Sequence, residues 1–242
     1  MPDAINVKIG WLGPSVPSSS HIKKFLNLVP ANVDVLYEQL VLHDGVLNDV
    51  QGKQDLIVSR AVQFAEKQNL DGLIFPGAPR EVLNPALFGA FSASLKIPVA
   101  TALRSSAAAL TTFAAKRILL LTPFDASLNH LIRNFLSPFD LIAVSPSEFL
   151  PHYTDALKMT PDDVVAYAHR AMAEQSQVDA IYFQGAVLDP MDCLEQMEQE
   201  LNLPVVASNP AMNWYILSKL GLRHPLLGYG KLLASWPGLP MS

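Results

Sequence analysis

Apolar positions along this chain follow two alternating rhythms. Short unbroken runs, at residues 7–12, 73–75, 118–121 and around Ile181 and Val205, have the length and β-branched character of strands covered on both faces. Longer stretches between them have helical spacing. Residues 55–68 place Ile57, Val58, Ala61, Val62 and Ala65 on one face, and residues 21–28 gather Ile22, Phe25 and Leu26, with Val29 just beyond. Further helices are predicted over residues 84–94, 105–115, 127–136, 190–201 and 211–219, and further strands over 33–42, 97–100 and 141–144. Thr160-Pro161-Asp162-Asp163 combines an N-cap, a first-position proline and first-turn acids, so a helix should start there and run to about Gln175. Strands alternating with helices indicate parallel sheets.

The pattern is written twice. Asp71-Gly72-Leu73-Ile74-Phe75-Pro76-Gly77-Ala78 matches Asp179-Ala180-Ile181-Tyr182-Phe183-Gln184-Gly185-Ala186, and each copy leads through an amphipathic stretch to an apolar piece with a proline at its start. Those pieces are Ile97-Pro98-Val99-Ala100 and Leu203-Pro204-Val205-Val206, and Lys8 to Pro14 matches Arg117 to Pro123 in the same way. Two similar α/β halves are expected, residues 1–104 joined by 212–242, and residues 105–211. The Pro- and Gly-rich tail after Gly221 is expected to pack back on the first half. In open parallel sheets ligands bind beyond the carboxyl ends of the strands. Five loops qualify: Pro14-Ser15, Gly77 to Arg80, Pro123 to Asp125, Gln184 to Ala186, and Ser208 to Pro210.

Bulk properties narrow the function. The 242 residues carry a formal net charge of -5 with no basic block, which argues against nucleic acid as a partner. No window approaches the roughly 18 to 20 apolar residues of a membrane span, and the N-terminus lacks the basic start and apolar core of a signal peptide. A cytoplasmic protein that meets no membrane is expected. One cysteine, Cys193, excludes an internal disulfide and a cysteine-built zinc site, and no His, Asp and Glu spacing resembles a metal site. Cys193 shares a helical face with Met197 and Leu201, as a buried structural thiol would.

Three segments resemble the aspartate/glutamate racemase superfamily, and within it the maleate isomerase and arylmalonate decarboxylase branch. They are Ile9 to Ser15, Pro98 through Thr122 with Asp125 and Asn129, and Leu203-Pro204-Val205-Val206-Ala207-Ser208-Asn209-Pro210-Ala211 followed by Trp214. The last is the most specific, because that branch has a similar Pro-Val-Val-Ser-Ser-x-Pro-Ala-x-x-Trp run. The resemblance spans about residues 7–220. It implies two pseudo-symmetric flavodoxin-like halves with parallel sheets, an inter-domain crevice for a small carboxylic acid, cofactor-independent chemistry and a homodimer. It also implies one or two catalytic cysteines, one per half, acting as thiol acid/base or nucleophile. By alignment those positions fall at Gly77 and Gly185, and neither can move a proton. Where the decarboxylase has hydroxyl donors, this chain has Ala78, Pro79 and Phe124.

Other groups could take over. Backbone N–H groups at Ala78, Gly185 and Ala186 suit a carboxylate, although Pro79 has none to give. Arg80 pairs either with a substrate carboxylate or with Glu81. Arg104 binds an anion or pairs with Asp125. Gln184 donates into the crevice or points to the sheet's flank, and Asn209 binds ligand or simply forms a turn before proline. His152 and Tyr153 lie in a loop that covers the site in the family, and His43-Asp44 follows the second strand. Asp189 and Asp125 are acid/base candidates or helix N-caps. Pro14 and Ser15 should line the crevice floor, with Trp11 in the core. The expected function is a cysteine-independent isomerase, decarboxylase or lyase that works through an enolate-like intermediate. The alternative is a non-catalytic descendant that binds a small anion or a protein partner.

Overall fold

The computed structural model describes residues 6–42, 46–147, 150, 153–175 and 177–240. In chain order its helices are α1 (Ser20–Leu26), α2 (Gln54–Gln68), α3 (Ala78–Val82), α4 (Leu87–Ser94), α5 (Ala102–Thr112), α6 (Ala126–Leu136), α7 (Pro161–Glu174), α8 (Leu194–Leu201), α9 (Ser208–Lys219) and α10 (Gly230–Ser235). Strands β1 (Val7–Gly13), β2 (Val33–Gln39), β3 (Gly72–Phe75) and β4 (Val99–Thr101) form one parallel sheet in the order β2-β1-β3-β4. Strands β5 (Arg117–Leu121), β6 (Ile142–Val144), β7 (Ala180–Phe183) and β8 (Val205–Ala207) form a second, ordered β6-β5-β7-β8. The fold is α/β, and the two sheets repeat one strand order.

The sequence repeat has a physical basis in matching hydrogen bonds. The carboxylate of Asp71 accepts from the Lys8 amide at 2.8 Å, and that of Asp179 accepts from the Lys116 and Arg117 amides, each at 2.8 Å. Each aspartate therefore ties the start of one central strand to its neighbour. Pro98 and Pro204 accept from Leu73 and Ile181 in the same way, both at 2.9 Å. A proline is tolerated at these positions because the strand needs only its carbonyl there. Two of the central strands, β3 and β7, are buried at every position, which explains their unbroken apolar character.

The two halves cross over. Helix α5 follows the first sheet and α9 follows the second, and they pack against each other, with α9 also lying on β3 and β4. A side-chain carbon on Gly72 would come within 3.0 Å of Ile216 on α9, so glycine permits this close approach. Asn213 on α9 donates to the Leu28 carbonyl at 3.0 Å and fixes the end of α1. Helix α7 begins as its sequence indicates, with Thr160 and Asp163 forming a reciprocal capping box.

Several boundaries depart from the sequence reading; α5, for one, spans Ala102–Thr112 rather than 105–115. Helix α9 starts at Ser208, not at Ala211, so Ser208, Asn209 and Pro210 form its first turn. Helix α8 starts at Leu194 after a turn over residues 190–193. The tail forms α10, which packs on α8, α9 and β8. The Glu198 carboxylate holds it by accepting from the Lys231 amide at 2.7 Å, and the Trp214 indole donates to the Pro237 carbonyl at 2.9 Å. No described helix is long and apolar enough to cross a membrane.

Candidate active site

A cavity of about 270 Å³ opens where the carboxyl ends of β1, β3, β5 and β7 converge on the first turn of α9. Its walls are predominantly apolar: Leu40, Leu42, Leu47 and Val50 from the segment after β2, with Trp11, Phe124, Val187 and Met212 opposite. The loops singled out from sequence meet here. Pro14, Ser15, Gly77, Arg80, Phe124, Gln184, Gly185, Ala186 and Asn209 all line the cavity, as does Tyr153. Ala78 does not; it is fully buried at the start of α3. His152, His43 and Asp44 lie outside the described residues.

Among the described residues, Arg80 is the cavity's one strongly charged wall residue, and it is only 4% exposed. Its guanidinium sits 4.3 Å from the Phe75 ring centroid, and Nη2 donates to the Pro76 carbonyl. Nη1 is buried with no hydrogen-bond partner among the described residues. Burial pushes its pKa down to about 9, with Glu81 opposing the shift, so the group stays charged at neutral pH. Glu81 does not form the expected ion pair. Its carboxylate instead accepts from the Thr101 hydroxyl at 2.6 Å and the Leu103 amide at 2.8 Å. Burial raises its pKa to about 7 against the pull of those bonds and both nearby arginines.

Several other polar groups face the same space. The Tyr182 hydroxyl donates to Gln184 Oε1, which leaves the amide N–H₂ end of Gln184 for a ligand. Asn209 is buried in the first turn of α9, and its Oδ1 has no partner among the described residues. The Ser15 hydroxyl and His21 Nε2 lie 2.8 Å apart on the cavity wall. His21 escaped the sequence reading because it falls in the amphipathic pattern of α1. The available signal was its place six residues after Ser15, across a short polar loop.

The remaining candidates resolve into structural roles. Asp125 caps α6 by accepting from the Leu128 amide at 2.9 Å. Arg104 does not pair with Asp125; it stacks 3.9 Å from the Phe88 ring centroid, away from the cavity wall. Asp189 pairs with Lys24 at 3.1 Å and accepts from the Met191 amide. It lines an adjoining polar cavity of about 100 Å³ rather than the main one. Cys193 is buried outside both cavities, and burial together with Asp189 and Asp192 pushes its thiol up to about 11. Among the described residues no group of three His, Cys, Asp or Glu is placed to hold a metal.

Gly77 and Gly185 turn the chain after β3 and β7 with φ of 101° and 118°, a region that side chains avoid. A side-chain carbon on Gly185 would lie 2.8 Å from Pro123, so that ring fills the space a side chain would need. At Gly77 it would meet the Arg80 guanidinium at 3.1 Å.

Two parallel four-stranded sheets of matching order define an α/β fold shared with maleate isomerases and arylmalonate decarboxylase of known structure. The chain belongs to the arylmalonate decarboxylase family, whose sequence model matches residues 80–233. It is similar in fold to the maleate isomerase Iso from Pseudomonas putida, with a TM-score of 0.75, 15% identity, and 96% of this chain and 99% of that one covered. Arylmalonate decarboxylase gives a TM-score of 0.75 at 20% identity, covering 94% and 99%. A Nocardia farcinica maleate cis-trans isomerase mutant with a covalently bound succinylcysteine intermediate gives 0.76 at 17%, covering 95% and 98%. No curated protein matches the chain in sequence.

Proposed function

We propose that this chain is a cofactor-independent decarboxylase of a small malonate-type acid that carries an apolar group, and that it works without a thiol. The observation that carries this reading is the buried Arg80 guanidinium, with Nη1 unpartnered among the described residues, in the wall of a predominantly apolar cavity. An unpaired buried charge is costly, and a carboxylate ligand would relieve it. The family match supports the reaction class. Glycines stand at Gly77 and Gly185 where the family's thiols are expected, and the only cysteine is remote.

One substrate carboxylate would bind Arg80, with the first turn of α9 and the Gln184 amide supplying further donors. The second would be pressed toward Leu40, Leu42 and Val50, where an apolar surface offers its charge no solvation. Loss of carbon dioxide removes that charge and leaves the electron pair in an enediolate, which Arg80 stabilises from a preorganised position. Decarboxylation suits a thiol-free site because no base is needed to start it. A second reading, a non-catalytic binder of a small anion, draws on the closed space at Gly185.

Carbon dioxide release from aryl- and alkyl-malonates, beside calorimetric binding of the corresponding monocarboxylates, separates the two. Release, with Arg80→Ala inactive, supports the decarboxylase. Binding without release selects the binder, and neither result on a broad panel contradicts both.

A further inference from the structure

We propose that Ser15 and His21 form the proton donor of this site, a relay that takes the place of the absent thiol; this rests on the decarboxylase reading above. The Ser15 hydroxyl and His21 Nε2 are 2.8 Å apart, and both line the cavity that holds Arg80, Gly77 and Gly185. Ser15 lies just beyond the end of β1, a central strand of its sheet, and His21 lies in the first turn of α1 behind it. His21 also lines the adjoining polar cavity, with Lys24, Asp189 and Asp192. That cavity, of about 100 Å³, has room for water, which needs only ~10–15 Å³ by a comparable measure. One imidazole therefore touches the reaction space on one side and a polar passage on the other.

Burial and charge act on His21 in opposite directions. Lys24, on the same helix, is held by Asp189 at 3.1 Å and Asp192 at 2.6 Å. Burial lowers the imidazole pKa, and Asp189 acts against that shift. A bound dianion would add negative charge on the cavity side and favour the imidazolium. The proton balance closes. Cleavage of the bond to carbon dioxide leaves its electron pair on the α-carbon. That pair takes the proton of the Ser15 hydroxyl while the Ser15 oxygen takes one from His21 Nε2–H. Neutral His21 is reprotonated from solvent through the polar cavity. A donor fixed on one wall delivers its proton to one face of the planar intermediate, so a substrate with two different α-substituents gives one enantiomer.

The test is decarboxylation of a prochiral arylmethylmalonate by the wild type and by Ser15→Ala, Ser15→Thr, His21→Gln and His21→Ala. Expected is a fall in kcat of about 100-fold or more in Ser15→Ala and His21→Gln, in line with general acid catalysis, with KM little changed. Product enantiomeric excess should drop in Ser15→Ala. Ser15→Thr, which keeps a hydroxyl, should retain much of the rate, and added imidazole should partly restore His21→Ala. These last two outcomes separate proton transfer from a loss of fold. Wild-type kcat and enantiomeric excess in both Ser15→Ala and His21→Gln would overturn the relay and leave the decarboxylase reading standing. So would a loss of rate that neither Ser15→Thr nor imidazole restores. Absence of turnover by the wild type would overturn both.

Discussion

Arg80 and Glu81 are neighbours in sequence, both buried, and they do not satisfy each other. Glu81 spends its carboxylate on Thr101 and Leu103, bracing the junction of β4 and α5, and Arg80 keeps a buried Nη1 with no hydrogen-bond partner among the described residues. Arg80→Met should therefore separate binding from stability. Removing an uncompensated buried charge costs little stability, whereas loss of a charged hydrogen bond should weaken monocarboxylate binding roughly tenfold to hundredfold by calorimetry. Glu81 gives a second residue-scale prediction. Its folded pKa is raised to about 7 from an ordinary 4.5, so between those values the folded state holds more protons than the unfolded one. Stability should then fall as pH rises through that window, on the order of 3 kcal/mol for this group. Denaturant unfolding from pH 5 to pH 8 should show a smaller slope in Glu81→Gln than in the wild type. At this scale the sequence was partly legible. Arg80 and Asn209 could be located because they follow closely on strand ends, in the first turns of α3 and α9. The partner of Glu81 could not, because Thr101 lies twenty positions away and only the folded sheet brings them together.

Elements carry the turn and cap chemistry. The β7 turn depends on Gly185, whose φ of 118° and whose contact with Pro123 exclude a side chain. Gly185→Ala should destabilise the protein by about 1–3 kcal/mol, from backbone strain and overpacking together, seen as a lower thermal midpoint. Gly185→Cys should do the same and not create a working thiol site. Thr160→Ala removes one arm of the α7 capping box and should cost about 1 kcal/mol, a few degrees in a chain of this size. Strand and helix identities were legible because buried parallel strands and amphipathic helices write different periods. Some helix ends were not. Helix α9 begins three residues early because Pro210, third in the helix, falls among the first-turn positions whose N–H has no partner within the helix, so proline is tolerated there. The tail's proline and glycine content hid α10, whose place is set by Glu198 on a distant helix.

At the scale of the whole molecule the doubled sequence became a doubled sheet, with Asp71 and Asp179 repeating one contact and Gly77 and Gly185 repeating one turn. The cavity between them was legible as a place but not as a surface. One side of its apolar wall comes from Leu40, Leu42, Leu47 and Val50, whose polar neighbours in sequence disguise a pocket lining. The exchange of α5 and α9 couples the halves, so a ligand that bridges Arg80 and α9 should stabilise the whole fold. A monocarboxylate with an aryl group at a hundred times its dissociation constant should add about 2.7 kcal/mol, and acetate at the same concentration much less. The central claim, decarboxylation without a thiol, is tested most directly by carbon dioxide release from a substituted malonate by the wild type and by Cys193→Ser. Equal rates in the two, with none in Arg80→Ala, are the predicted result. Loss of release in a folded Cys193→Ser, or no release by the wild type, would contradict it.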